Sequence, residues 1–191
     1  MPEEGIDEDN VRRVGPIVRT TNYSREELRK KFSFNKKTIV VSVGGTDAGK
    51  FLIEKTIESY TKIRDDVELV IVSGPSLKKD YRENIRNLGF VNNLHEIIFA
   101  SDLIVSLGGK STIDESKSYG TPGIFIPIKN HFEQEDNAMR EGFSYEDVNK
   151  LDSLISEKLG EKRKPKSYDG AKKAAEIIKD IFLKWNLDFI N

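Results

Sequence analysis

The segment Thr38-Ile39-Val40-Val41-Ser42-Val43-Gly44-Gly45-Thr46-Asp47-Ala48-Gly49-Lys50 changes character at its midpoint. Thr38–Val43 is a β-branched apolar run, the sign of a strand buried on both faces. Gly44 to Gly49 reads as a turn. From Lys50 to Ile63 apolar residues return at 53, 57 and 60, with Leu52, Thr56 and Ile63 beside them, which is helical spacing. Strand, glycine turn and helix in that order are the opening of a βαβ unit.

The rhythm repeats along the chain. Val67–Val72 and Asp102–Leu107 are further strands, and Pro122–Ile128 contains another. Leu77–Asn87 reads as a helix of modest amphipathicity. The short stretch Leu88-Gly89-Phe90-Val91 follows. Asn92 then N-caps a helix carrying Leu94, Ile97 and Ile98, and Ser111–Tyr119 is a helix closed by Gly120. Upstream, Ser24-Arg25-Glu26-Glu27 is a capping box for a short helix ending near Phe32. Downstream, Ser144-x-x-Asp147 caps a helix to about Leu159. The charged stretch 161–166 is a solvated linker to a last helix with the stripe Ala171, Ala174, Ala175, Ile178, Ile181, Phe182, Trp185. Strands separated by helices predict an α/β fold, a Rossmann-like doubly wound parallel sheet. Residues 1–13 read as a disordered tail or cut interdomain linker, and 14–191 as one domain with a C-terminal return helix.

Composition narrows the partners. The 191 residues suffice for one domain, with 31 basic against 32 acidic residues and a formal charge of −1. That balance argues against a nucleic-acid binder, which carries a basic face. Cysteine is absent, so disulfides and thiolate metal sites are excluded. The opening MPEEGIDEDN is acidic and polar, the opposite of a secretory signal, and no run of ~20 apolar residues exists to span a membrane. The expected compartment is the cytoplasm.

Ligands of such sheets bind at the carboxyl ends of the strands, and two of those loops are glycine-rich. The Gly44–Lys50 loop matches G-x-x-x-x-G-K, but Phe51 stands where a P-loop needs Ser or Thr for Mg²⁺, so a nucleotide-hydrolysing P-loop is disfavoured. Two readings remain for it: close approach of a ligand or another backbone to Gly44 and Gly45, or a plain tight turn. The second loop, Ser106-Leu107-Gly108-Gly109-Lys110-Ser111-Thr112-Ile113-Asp114-Glu115, ends in a helix N-terminus, where free N–H groups and the dipole favour phosphate. Ser111 and Thr112 can add hydroxyls, Lys110 a charge, and Glu115, on the same helix face, could accept from sugar hydroxyls. The competing reading is structural: Ser111-x-x-Asp114 is itself a capping box. His95 and His131 lack metal-ligand spacing; His95 reads as a surface or packing residue, and His131 lies in a loop before Gln134. No G-x-S-x-G elbow supports a serine hydrolase.

The run from Ser106 to Asn137, SLGGKSTIDESKSYGTPGIFIPIKNHFEQEDN, resembles the donor-sugar signature of GT-B glycosyltransferases. It is most similar to the C-terminal domain of UDP-N-acetylglucosamine transferases that act on lipid-linked pyrophosphate acceptors. Gly44-Gly45-Thr46, Gly89-Phe90-Val91 and the entry segment Gly15-Pro16-Ile17-Val18-Arg19 fit in order, so the resemblance covers about residues 14–160. It implies a diphosphate on the helix beginning at Ser111 and Thr112, after Gly108, Gly109 and Lys110. Glu115 would meet the ribose hydroxyls. Main-chain atoms at Val91, after Phe90, would hold the uracil, and Glu133, Gln134 and Asn137 the sugar hydroxyls. Arg19 would lie close to the nucleotide, with Thr46 facing the donor. Leu107 replaces a frequent His or Arg, and Glu133 replaces a common glutamine.

The resemblance thus implies the donor-binding part of a hexosyltransferase, with a UDP-sugar as donor substrate, UDP-GlcNAc foremost, and no metal or other cofactor. The general base would come from a missing N-terminal acceptor-binding lobe or a separate subunit, with a lipid-linked acceptor at the cytosolic membrane face. The isolated chain would bind donor and transfer sugar poorly or not at all. The entry segment favours a fragment of a longer chain over one half of a split enzyme, such as the two-protein transferase acting on dolichol pyrophosphate. Two alternatives remain: a non-catalytic nucleotide-binding or sensing module, and a nucleotide-sugar hydrolase of the same fold.

Overall fold

A computed structural model describes residues 11–45, 47–63, 66–74 and 85–188, with side chains to 183. Residues 1–10 of the tail, Thr46, the Trp185 side chain and most of the helix expected over 77–87 lie outside the described residues. The chain divides into two compact units. One is Arg19–Lys166; the other is formed by the described residues of Met1–Val18 and Ser167–Asn191.

Arg19–Lys166 is built on five parallel strands in the order β3-β2-β1-β4-β5. They are β1 (Lys37–Ser42), β2 (Val67–Val72), β3 (Ile85–Asn87), β4 (Leu103–Ser106) and β5 (Gly123–Phe125). In β1, every residue after Lys37 is buried whichever way its side chain points, because helices cover both faces of the sheet. Ser42 pairs in register with Val72 on one side and Ser106 on the other, so β1, β2 and β4 end level.

The helices of this unit are α1 (Arg25–Phe32), α2 (Lys50–Tyr60), α3 (Leu94–Ala100), α4 (Lys110–Tyr119), α5 (Phe132–Arg140) and α6 (Leu151–Lys158). α1 packs on α3 and α3 on α4, while α2 packs on α6. The capping box at Ser24 forms, its Oγ accepting from Glu27 N while the Glu27 carboxylate accepts from Ser24 N. The one at Ser144 also forms, but opens a 3-10 turn over Tyr145–Lys150 before α6 begins. The core runs through Ile39, Val41, Leu69, Ile71, Leu103, Ile104 and Ile124, with Leu52, Ile53, Ile97, Ile98 and Ile113 supplied by the helices.

Two expectations need correcting, and one helix is additional. Ile85–Asn87 is the edge strand β3, parallel to β2, and not the end of a helix; three residues are too few for periodicity to distinguish the two. His131 ends the loop expected there, as the N-cap of α5 (Phe132–Arg140), a helix that carries Gln134 and Asn137 and has no counterpart in the expectations. α3 takes Asn93, one residue later than expected, as its N-cap. The second unit contains α7 (Gly170–Asp188), along which Ile178, Ile181, Phe182 and Leu183 are exposed. No helix among the described residues is long and apolar enough to cross a membrane.

Candidate functional site

The strand order reverses between β1 and β4. Such a switch point opens a crevice at the carboxyl ends of the strands, because the chains leaving the two strands depart to opposite faces. The loops after β1 and β4 carry the two glycine-rich sequences. Gly74, after β2, has φ +68°, and a Cβ there would stand 2.3 Å from the Gly44 carbonyl oxygen. Gly108 is equally tight, its Cβ position lying 2.3 Å from the carbonyl oxygen of Gln134. Gly74 lets two loops touch through backbone alone, and Gly108 lets its loop touch the backbone of α5 in the same way. Gly44, Gly45 and Gly109 have open space where a Cβ would be.

α4 starts one residue earlier than expected. Its N-cap is Gly109, with no side-chain cap, and the first N–H to find a helical acceptor is that of Ile113, on Gly109 O at 3.2 Å. The N–H groups of Lys110, Ser111 and Thr112 are left without a partner inside the helix. The alternative capping box does not form: Asp114 pairs with Lys110 on the next turn instead. Lys110 is therefore committed to its own helix. Leu107, where a cation was missed, is 8% exposed and packs toward Gly49. In the first glycine-rich loop Asp47–Gly49 forms a 3-10 turn, and Lys50 pairs with Glu54 at 3.7 Å along α2.

On the buried side of α4, Glu115 is 3% exposed. Its Oε1 accepts from Arg19 Nε at 2.6 Å and its Oε2 from Arg19 Nη2 at 3.2 Å. Arg19 Nη1 donates to the carbonyl of Asn92 at 3.3 Å, and Tyr119 Oη donates to the Arg19 carbonyl at 2.9 Å. The Glu115 hydrogen bond raises the Arg19 pKa further, and burial pushes the Tyr119 phenol up to about 12. His95 lies in the same field. Its Nδ1 is buried without a partner, and burial, then Arg19, hold its pKa below the ordinary histidine value.

Phe90 is 64% exposed, while Val91 packs against the core. Their segment turns on Asn87, whose Oδ1 accepts from Ser73 Oγ at 3.1 Å and Gly89 N at 3.0 Å. Opposite, α5 is N-capped by His131, whose Nδ1 accepts from Gln134 N at 3.4 Å. Histidine is an unusual cap, which is why the helix was not legible locally. Gln134 Oε1 accepts from Ile128 N at 3.1 Å, and Asn137 Nδ2 donates to Gly108 O at 3.0 Å, while Glu133 is exposed. The fold thus gathers Gly108, Gln134 and Asn137 in one cluster and Arg19, Asn92 and Glu115 in another. Asn92, Tyr119 and Gly74 were not anticipated, because nothing local to them signals a partner far along the chain.

Residues 38–181 match the family described as the glycosyltransferase family 28 C-terminal domain. The chain belongs to this family. A glycosyltransferase of Methanosarcina mazei is 31% identical over 128 residues, which are 65% of this chain and 32% of that one. The UDP-N-acetylglucosamine–N-acetylmuramyl-(pentapeptide) pyrophosphoryl-undecaprenol N-acetylglucosamine transferase of Elusimicrobium minutum is 30% identical over 132 residues, 62% of this chain and 37% of that one. The chain therefore spans about a third of the length of the curated relatives it matches. Among solved structures, the glycosyltransferase of kitacinnamycin superposes with a TM-score of 0.60 at 17% identity, covering 82% of this chain and 42% of that one. Spinosyn rhamnosyltransferase in complex with spinosyn aglycone gives 0.52 at 19% identity, covering 76% and 41%. At these identities the likeness speaks for the fold alone. The family 28 domain is a Rossmann-like α/β lobe of the GT-B glycosyltransferase type.

Proposed function

We propose that this domain binds a UDP-sugar, with UDP-GlcNAc as the donor, for transfer to an acceptor held by an N-terminal lobe or a partner subunit. The observation that carries the reading is the uncapped N-terminus of α4 with Glu115 one turn further along. Free N–H groups at Lys110, Ser111 and Thr112 suit a diphosphate, and a buried carboxylate suits ribose hydroxyls. Support for the sugar and for a lipid-linked acceptor comes from the likeness to the relatives of Elusimicrobium minutum and Carboxydothermus hydrogenoformans, which are named as N-acetylglucosamine transferases acting on pyrophosphoryl-undecaprenol; the acceptor would then be met at the cytosolic membrane face.

In this reading the base rests against the main chain at Val91, beside Phe90, and the loop of Gly44 and Gly45 faces the donor. Gln134 keeps its amide N–H₂ and Asn137 its amide oxygen for sugar hydroxyls, with Glu133 beside them. As the bond between the anomeric carbon and the β-phosphate oxygen breaks, charge grows on the leaving UDP. The fixed N–H groups and dipole of α4 stabilise it without reorganisation. The acceptor hydroxyl adds to the anomeric carbon and yields its proton to a base outside this chain. No divalent metal or other cofactor takes part.

Calorimetric titration with UDP and UDP-GlcNAc, with and without EDTA, tests the reading. Binding is expected for both, unchanged by EDTA. Glu115→Ala should weaken it about tenfold or more, since hydrogen bonds to a charged group contribute ~1.5–3 kcal/mol and 1.4 kcal/mol is about tenfold. No binding by the unchanged chain, or binding indifferent to Glu115→Ala, overturns the reading.

A further inference from the structure

Arg19 makes three hydrogen bonds that together span the expected nucleoside pocket. Two run in parallel to the Glu115 carboxylate at 2.6 and 3.2 Å, and the third goes to the carbonyl of Asn92, the residue after Val91, at 3.3 Å. The two partners come from different elements: Glu115 from α4 and Asn92 from the turn ahead of α3. Arg19 is itself held from behind, by the Tyr119 hydroxyl on its carbonyl. Its side chain is 51% exposed while that of Glu115 is 4% exposed, so the arginine reaches inward from the surface to a carboxylate that has little other solvent.

A carboxylate has about four acceptor sites, two on each oxygen. The Arg19 fork takes one on each. A parallel fork fills the two inner sites, so one outer site per oxygen remains, the two pointing apart, and each can accept from a single sugar hydroxyl. The planar fork also fixes the rotation of the carboxylate, which a single point charge leaves free. We propose that Arg19 is a positioning residue for ribose recognition: it turns an outer acceptor site of Glu115 toward the 2′-hydroxyl and clamps that carboxylate to the segment expected to hold the base. The proposal rests on the donor-site reading above. It differs from a direct Arg19–phosphate contact, because its effect falls on the sugar of the nucleoside.

The experiment compares the affinities of UDP and 2′-deoxy-UDP for the chain and for Arg19→Lys, Arg19→Ala and Tyr119→Phe, with the melting temperature of each as a control. The unchanged chain should favour UDP by about tenfold, the order of one hydrogen bond to a charged acceptor. Arg19→Lys keeps the charge and loses the fork, so the preference should fall to about twofold or less, with most of the loss in UDP binding. Arg19→Ala should match it. Tyr119→Phe should move the ratio in the same direction by a smaller factor. A ratio unmoved by Arg19→Lys and Arg19→Ala, or a loss shared equally by both nucleotides, overturns the positioning role and leaves the donor site standing. An unchanged chain that binds neither nucleotide overturns the donor-site reading and this inference with it. One that binds both equally overturns the assignment of Glu115 to ribose.

Discussion

At the scale of single residues, the site depends on where each polar group finds its partner. Lys110, at the start of α4, pairs with Asp114, so at the proposed diphosphate site this end of the helix offers backbone N–H groups and the hydroxyls of Ser111 and Thr112. His95 shows the reverse case, a buried Nδ1 with no partner. Burial first, then the Arg19 charge, lower its pKa in the folded protein below 6.5. The unfolded chain therefore takes up a proton at a higher pH than the folded one. The stability this group contributes is complete above about pH 6.5 and is lost as pH falls toward the folded pKa. Urea midpoints measured between pH 5 and 8 should show that decline, and His95→Gln should flatten it. The residue types at Gly108, Glu115 and Asn137 were legible as candidates. Their partners were not, since Arg19 and Glu115 lie 96 positions apart and Asn137 and Gly108 29 apart.

At the scale of elements, α4 is a helix left uncapped at one end. Gly109 at its N-cap has φ −71° and open space at its Cβ, so a side chain fits there without strain. Aspartate prefers that position to glycine by only a few tenths of a kcal/mol (~0.3). Gly109→Asp should therefore leave melting unchanged or slightly raised while weakening UDP binding about tenfold or more, because it fills the N–H groups and places a negative charge at the anion site. Gly109→Ala, without cap or charge, should bind UDP nearly as the unchanged chain does. Equal binding by the aspartate variant would show that the N-terminus of α4 holds no phosphate. The strands β1 and β2 were readable to within a residue because long buried runs of Val and Ile have little else to become. β3 is three residues long and α5 starts at a histidine cap, so neither carried a local signal strong enough to identify it.

At the scale of the molecule, the two ends of the sheet do different work. The carboxyl end holds the open loops. Toward the amino end, Asp102 accepts from Arg25 at 2.6 Å, Arg29 at 2.9 Å and the Thr38 amide at 2.9 Å, tying α1, β1 and the start of β4 together. Arg163 lies on the adjoining backbone, donating to the carbonyls of Ser101, Phe99 and Tyr119, and burial pushes its pKa down to about 10. Asp102→Ala should cost about 2 kcal/mol in denaturant unfolding, less than the ~3–5 of a fully buried pair because the side chain is 25% exposed. UDP affinity should stay within about twofold; a larger loss would mean the two ends are coupled. The sequence by itself determined a parallel α/β sheet with glycine-rich loops at its carboxyl ends, because buried β-branched runs and helical periodicity are local properties of the chain. Tertiary structure alone decided that Arg19 meets Glu115 and that Asn137 holds the Gly108 loop. Those pairings depend on which side chains packing brings within hydrogen-bond distance, and no spacing along the chain encodes that distance.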